Sequence, residues 1–337
     1  MVSRLRMFWG QSFRLPPPPL TEKNLPDQTG KVFIITGANS GVGYELSRIL
    51  YVHNATVYVA ARSESKGKDA IAAIAKLHPE SKGRLEFLFL DLSDLNTIKS
   101  SVDDFLRRED KLHWLNNNAG VMVPPSGSRG AQGIDLSYQT NILGPFLFTK
   151  LLLPVLRRTA KLEADTPGAD AGSVRVSWAS SLSMYLESPA GGVKWKTQAQ
   201  GDVTLDDSIG SRPVYGTSKA ANFLLANEFA KRFGSRDGVL HNAYNPGNLA
   251  TNLGRHLDPI SAWVIGFLVY PPILGAYTEL YAGLSPDLTI ANDQGVCIVP
   301  WGRRLATRPD IQAELGKEGG NAEKLFDWCD RVTSEFA

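Results

Sequence analysis

The sequence is poor in several things, and each scarcity excludes a class of protein. Among 337 residues there are two cysteines, Cys297 and Cys329. They form no disulfide framework and fit no zinc-ligand spacing, so a reducing compartment, the cytoplasm, is expected. The five histidines are scattered, and no metal site is expected. Neither sign of charge dominates: Lys and Arg number 36 and Asp and Glu 34, a net charge of +2. That leaves no footprint of a nucleic-acid binder. No apolar run reaches the roughly 20 residues of a membrane-spanning helix, and none reads as a signal peptide. The most apolar stretch, Ile260 to Leu274, is broken at Pro271-Pro272; a core-packing helix, a cover over a site and a peripheral membrane patch all remain open for it. No internal repeat is visible. What remains, 43% hydrophobic and 21% charged, is an ordinary globular balance. It suffices for one large α/β domain or two small ones.

Against this background one stretch stands out. Val32 to Ile35 is a short β-branched run that reads as a buried parallel strand. Gly37, Gly41 and Gly43 follow. Tyr44 to Leu50 then carries apolar residues at helical spacing. Strand, glycine turn and helix together make a phosphate-binding device, because the helix N-terminus offers unpaired N–H groups and a positive dipole end. Gly37, Asn39, Ser40, Gly41, Val42 and Gly43 are therefore assigned to a cofactor.

The remaining chain reads as alternating strands and helices. Met1 to Gly30 is expected to be an extended arm, with Phe8, Trp9 and Phe13 as anchors. Thr56 to Ala61 is the second strand. An acidic residue at its end would select NAD by accepting from the ribose 2′-OH. Arg62 stands there instead and can pair with a 2′-phosphate, with Lys66 nearby, so NADP is favoured over NAD; one more solvated charge opening a helix is the other reading. Further strands are expected at Arg84–Leu90, from Leu112, at Val174–Ala179, at Val239–Tyr244 and at Gly295–Pro300. Tyr215 and Lys219 are four residues apart, on one helix face, so the ammonium can sit beneath the phenol.

The glycine turn has the form Thr-Gly-x-x-x-Gly-x-Gly, and Asn116-Asn117-Asn118-Ala119-Gly120 follows the fourth strand. Ser180-Ser181 ends the fifth, Tyr215-x-x-x-Lys219 comes next, and Pro246-Gly247-x-x-x-Thr251 follows the sixth. In this order the motifs resemble the short-chain dehydrogenase/reductase family, and the flanks resemble fungal members of its retinol-dehydrogenase-like branch. The resemblance implies a single Rossmann-type doubly wound α/β domain over 30–310. Its mostly parallel sheet would have seven strands, with helices on both faces. A substrate lid is implied over 252–285 and a helical tail over 311–337. It also implies NADP(H), or less readily NAD(H), held by Asp91 and Leu92 at the adenine. Asn118, Ala119 and Gly120 would lie beneath the cofactor, and Pro246, Gly247, Leu249 and Thr251 at its nicotinamide side. Asn141, Ser181, Tyr215 and Lys219 would be catalytic. Ser180 competes with Ser181, since one residue of register moves the role. Ser181 and Tyr215 are 34 apart, against about a dozen in the shortest members of the family. The extra segment, Met184 to Arg212, leaves the pocket walls open.

The implied activity is reduction of a ketone or aldehyde, or oxidation of the alcohol, on a lipophilic small molecule. A tailoring step in fungal secondary metabolism would fit. A double-bond reductase of the same family, or a cofactor-binding scaffold without catalysis, are the rivals. The helices near Asn141 and Lys219 form dimer bundles in many relatives, whereas others in this branch stay monomeric or bind membranes, so the resemblance leaves homodimer, monomer and membrane-associated forms open. From the chemistry, a phenol titrating at about 10 stays protonated near neutrality, too high for it to act as a base there. An ammonium at about 4 Å, in an effective dielectric of about 20, would bring it down by roughly 3 units.

Overall fold

Short runs of apolar residues, buried on both faces, build the centre of the protein. The computed structural model describes residues 4–165, 172–198, 201–250 and 269–337. In chain order the principal elements begin with α1 Arg4–Ser12, β1 Val32–Thr36, α2 Gly41–Val52, β2 Thr56–Ala61, α3 Glu64–Leu77 and β3 Arg84–Phe89. Next come α4 Ile98–Arg108, β4 Trp114–Asn117, α5 Gly144–Ala164, β5 Val174–Ala179, α6 Leu182–Leu186, β6 Trp195–Thr197 and β7 Val203–Leu205. The last are α7 Ser211–Phe229, β8 Val239–Tyr244, α8 Pro272–Leu284, β9 Cys297–Val299, β10 Arg303–Arg304 and α9 Asn321–Thr333.

The main sheet runs β10-β9-β8-β5-β4-β1-β2-β3. Every pairing in it is parallel except β9 with β10. The chain builds outward from β1 to β3, then returns to place β4 on the other side of β1. That reversal opens a crevice at the C-terminal ends of β1 and β4, where doubly wound sheets bind ligands. Alternation along the strands supplies two cores. Ile34, Tyr58, Leu115 and Val176 face α4, α5, α7 and α9. Phe33, Ile35, Val57 and Val59 face α2 and α8.

The structure corrects the sequence reading in three places and adds to it in a fourth. Among the described residues the main sheet has eight strands rather than seven, because Arg303–Arg304 adds a two-residue antiparallel edge too short to show any periodicity. The long segment after Ser181 contains its own antiparallel hairpin, β6 with β7. The expected extended arm is helical over Arg4–Ser12; of its expected anchors Phe8 is partly buried, whereas Trp9 is 59% exposed and Met7, Gln11 and Ser12 are buried instead. The expected lid splits: 251–268 lies outside the described residues, and α8 is no cover but packs Ala276, Leu280 and Tyr281 into the second core. The C-terminal tail joins the core too, through Leu325, Phe326 and Trp328 of α9.

Candidate active site

The crevice is a cavity of about 860 Å³ that runs from the end of β2, across β1 and β4, to the ends of β5 and β8. At its middle, α2 starts from Ser40, whose side chain does not cap the helix. Among the described residues the first-turn amides of α2 thus meet no side-chain oxygen, and they lie at the cavity edge formed by Gly37, Asn39, Ser40, Gly41 and Val42. Gly43 works one layer deeper. A Cβ there would stand 2.7 Å from Asn118 Nδ2 and 3.0 Å from the Ala38 Cα. Any side chain would push α2 off the strand ends. Asn118 in turn donates to the Thr36 carbonyl at 2.7 Å, and the Ala119 amide donates to Thr36 Oγ1 at 2.9 Å. These bonds tie β4 to β1 under the glycine turn.

At one end of the cavity stand Arg62 and Lys66. Arg62 follows β2 directly. Lys66 lies in the first turn of α3, whose N-cap Ser63 accepts from the Lys66 amide. Both side chains are exposed, and among the described residues neither has an ion-pair partner. Asp91 and Leu92 line the same end. Asp91 Oδ1 accepts from the Ser93 amide at 2.9 Å and from its hydroxyl at 2.6 Å, which fixes the carboxylate in a turn.

The other end brings Ser181, Tyr215 and Lys219 together. Ser181 and Ser180 are now distinguishable. The Ser180 hydroxyl is buried and donates to the Lys219 carbonyl oxygen at 2.9 Å. Ser181 caps α6, accepting from the Ser183 amide at 3.2 Å, and its hydroxyl interacts with the Tyr215 phenol. Tyr215 and Lys219 share one face of α7, with Nζ 5.7 Å from the phenol ring centre. Nζ donates to the Ala179 carbonyl at the end of β5, at 3.0 Å. Asn141 sits in a π-helical turn, Gln139–Leu143, that opens the helix just before α5. Its Oδ1 accepts from the Val121 amide at 2.8 Å, and its Nδ2 donates to the Val121 carbonyl and to Ser218 Oγ, each at 3.0 Å. Ser218 Oγ donates to the Tyr215 carbonyl at 2.8 Å. Asn141 thus fastens the loop after β4 to the helix that carries Tyr215 and Lys219. Pro246, Gly247 and Leu249 complete this end, while Thr251 lies outside the described residues.

The electrostatics depart from expectation. The Tyr215 phenol is pushed up by burial, with Ser181 opposing, rather than drawn down by Lys219. The lysine itself is pulled down to about 8 by burial. Nζ lies over the ring but donates to the Ala179 carbonyl rather than to the phenol oxygen among the described residues. At neutral pH Tyr215 keeps its proton.

A further group behind the site has no counterpart in the sequence reading. Glu279, on α8, is fully buried. Its Oε2 accepts from Asn116 Nδ2 at 2.6 Å, and Asn116 Oδ1 accepts from the Tyr244 hydroxyl at 2.8 Å. Oε1 has no partner among the described residues. Burial pushes the carboxyl up to about 8, against the pull of Asn116, Tyr244 and Lys219. A lone acid inside the apolar run Pro272–Leu284 is the signal that marks it. Because the folded form holds this proton more tightly than the unfolded chain, stability falls as pH rises from about 4.5 to about 8. Glu279→Gln mimics the neutral acid and should melt with the wild type at pH 5. At pH 8 it should melt higher, by about 4 kcal/mol of stability. Melting curves across this range check it; a constant difference between the two proteins would contradict it.

Comparison with known proteins agrees with this geometry. The family model for short chain dehydrogenases matches residues 31–162. A short-chain dehydrogenase/reductase of Phomopsis amygdali is 46% identical over 98% of each chain. One of Emericella nidulans is 42% identical over 95% of this chain and 98% of its own. Among solved structures, an uncharacterised protein of Mycobacterium paratuberculosis superposes with a TM-score of 0.62 at 25% identity, over 94% of this chain and 97% of that one. A Pseudomonas aeruginosa protein solved as an NADP active-site complex shares the fold, with a TM-score of 0.59 at 22% identity, over 81% and 95% of the two chains. The glycine turn, the strand-tying asparagine and the tyrosine–lysine pair thus stand in a chain that belongs to the short-chain dehydrogenase/reductase family of oxidoreductases.

Proposed function

We propose that this oxidoreductase uses NADP(H) to reduce the ketone or aldehyde of a lipophilic small molecule, or to oxidise the corresponding alcohol. The observation that carries the proposal is the layout of one cavity: two cations without an ion-pair partner among the described residues at one end, the start of a helix whose N-cap side chain leaves its amides free in the middle, and a buried tyrosine–lysine pair at the other. The residues present suit a dinucleotide. A Cβ on Gly120 would lie 3.1 Å from Asn141 Oδ1 and 3.4 Å from Lys219 Nζ, so glycine keeps open the space in front of the lysine. Arg62 and Lys66 would take a ribose 2′-phosphate, and the first turn of α2 the pyrophosphate. Lys219 and the turn Pro246–Gly247 would hold the nicotinamide half. When bound, the nicotinamide supplies or accepts the hydride.

The chain's own groups handle the proton. Tyr215, protonated at neutral pH because it is buried, donates to the carbonyl oxygen as the alcohol forms. The Ser181 hydroxyl holds that oxygen in place. Lys219, cationic below about 8, stabilises the negative charge left on the phenol. Asn141 keeps the loop after β4 and the start of α7 in register, through Val121 and Ser218. The cavity lining includes Leu182, Leu186, Val123 and Leu249, beside Glu187 and Arg212, and its apolar part suits a lipophilic substrate. The cofactor half of the reading is tested by titrating NADPH and NADH side by side and following quenching of tryptophan fluorescence. NADPH should bind at least tenfold more tightly; equal affinities, or no binding by folded protein, would contradict it.

A further inference from the structure

The helix that precedes β1 is built into the same cavity. Phe8, on α1, lines it. Five contacts hold α1 in place. Arg4 donates to the Leu186 carbonyl at 3.0 Å, which fastens it to α6, the helix capped by Ser181. Asn245 Nδ2 donates to Gln11 Oε1 at 2.9 Å, and both side chains are almost completely buried. Asn248 Nδ2 donates to Ser12 Oγ at 2.9 Å. The Tyr270 hydroxyl donates to the Ser12 carbonyl, and Arg303 to the Gly10 carbonyl, each at 2.9 Å. A mere surface appendage would not spend two buried side-chain amides on its docking. The helix is therefore fixed against both loops that frame the catalytic end: the one after β5, through Leu186, and the one after β8, through Asn245 and Asn248.

We propose that Phe8 is a specificity-determining residue, the wall on which the apolar body of the substrate packs, and that α1 sets the size of ligand the site accepts. The inference rests on the carbonyl-reduction reading above and adds to it a residue far from every motif of the chain. Phe8 stands where a ring can do this. It is partly buried, and it meets Phe13 edge-on at 5.7 Å, which restrains it. Its neighbours on the cavity wall, Leu182 and Leu186, are apolar. A residue that bounds an apolar pocket discriminates by volume. Enlarging the pocket favours larger ligands, and filling it favours smaller ones.

The test compares wild type, Phe8→Ala and Phe8→Trp with saturated ketones of one, two and three fused rings. The readouts are kcat/KM with NADPH and displacement of a fluorescent naphthyl ketone from protein loaded with NADP+. Phe8→Ala should move the preference toward the three-ring ketone by about tenfold, and Phe8→Trp should move it toward the one-ring ketone. NADPH affinity should stay within about twofold in all three, since Arg62, Lys66 and the start of α2 are untouched. A helix needed only for folding would shift all three ketones together, or lower the yield of folded protein without reordering them, and either result would overturn the inference. Displacement without turnover would sink the reduction reading and leave Phe8 to be judged on the displacement order alone. If no ketone and no fluorophore binds, the inference fails.

Discussion

Replacing Tyr215 by phenylalanine should lower kcat by about 10³-fold while leaving NADPH affinity within about twofold. On the proposed mechanism the hydroxyl is the proton donor, and among the described residues no other group lining that end of the cavity is placed to replace it. Lys219 is committed to the Ala179 carbonyl at 3.0 Å, and Ser180 to the Lys219 carbonyl at 2.9 Å. Ser181 remains, but a free hydroxyl is a far weaker acid than a phenol. The ring itself would stay, so the packing of this buried position is kept. Lys219→Met is the informative contrast. On the proposed mechanism it removes a cation that would serve both the nucleotide and the phenol, so binding and turnover should fall together. It need not unfold the site, because Asn222 Nδ2 also donates to the Ala179 carbonyl, at 2.8 Å. Stopped-flow single turnovers separate the two effects. A Tyr215→Phe protein with wild-type kcat would remove the tyrosine from the mechanism.

Arg62→Ala should weaken NADPH about 30-fold and NADH about twofold at most. On the proposed reading the difference arises because the guanidinium would address only the 2′-phosphate, a group NADH lacks. Arg62 has no ion-pair partner among the described residues and no shell of protein around it, so its loss should leave the fold intact. Salt should mimic the substitution in part. The site is exposed, so screening between 0.05 and 0.5 M, as the Debye length shrinks from about 14 to about 4 Å, should weaken NADPH far more than NADH. Equal losses for both nucleotides would show that Arg62 is only a solvated charge.

Much of this architecture was legible in the sequence because its signals are local. The run Val32 to Ile35, the three glycines after it and the helical spacing of Tyr44 to Leu50 sit within twenty residues, and the structure returns them as β1, turn and α2. Tyr215 and Lys219 are four apart, so a helix alone puts them on one face. What was not legible depends on long-range packing. Glu279 meets Asn116 across 163 residues, and Gln11 meets Asn245 across 234. No spacing rule reaches so far, although a single acid in an apolar helix and a polar residue in an aromatic-rich arm were both visible. The Tyr215 phenol moves opposite to expectation for the same reason. Helical spacing fixes the face on which Lys219 stands, whereas the partner its ammonium chooses, the Ala179 carbonyl, is set by where β5 ends. The two residues of β10 carry no pattern at all and exist because β9 offers an edge.

The account as a whole is tested most directly by NADPH oxidation at 340 nm, with purified wild-type protein and a panel of apolar ketones and aldehydes at pH 7. The account predicts absorbance loss that requires the carbonyl compound, favours apolar over small polar ones, and yields the alcohol in equal amount. Folded protein that binds NADPH but oxidises it with no carbonyl compound, and reduces NADP+ with none of the corresponding alcohols, would contradict it.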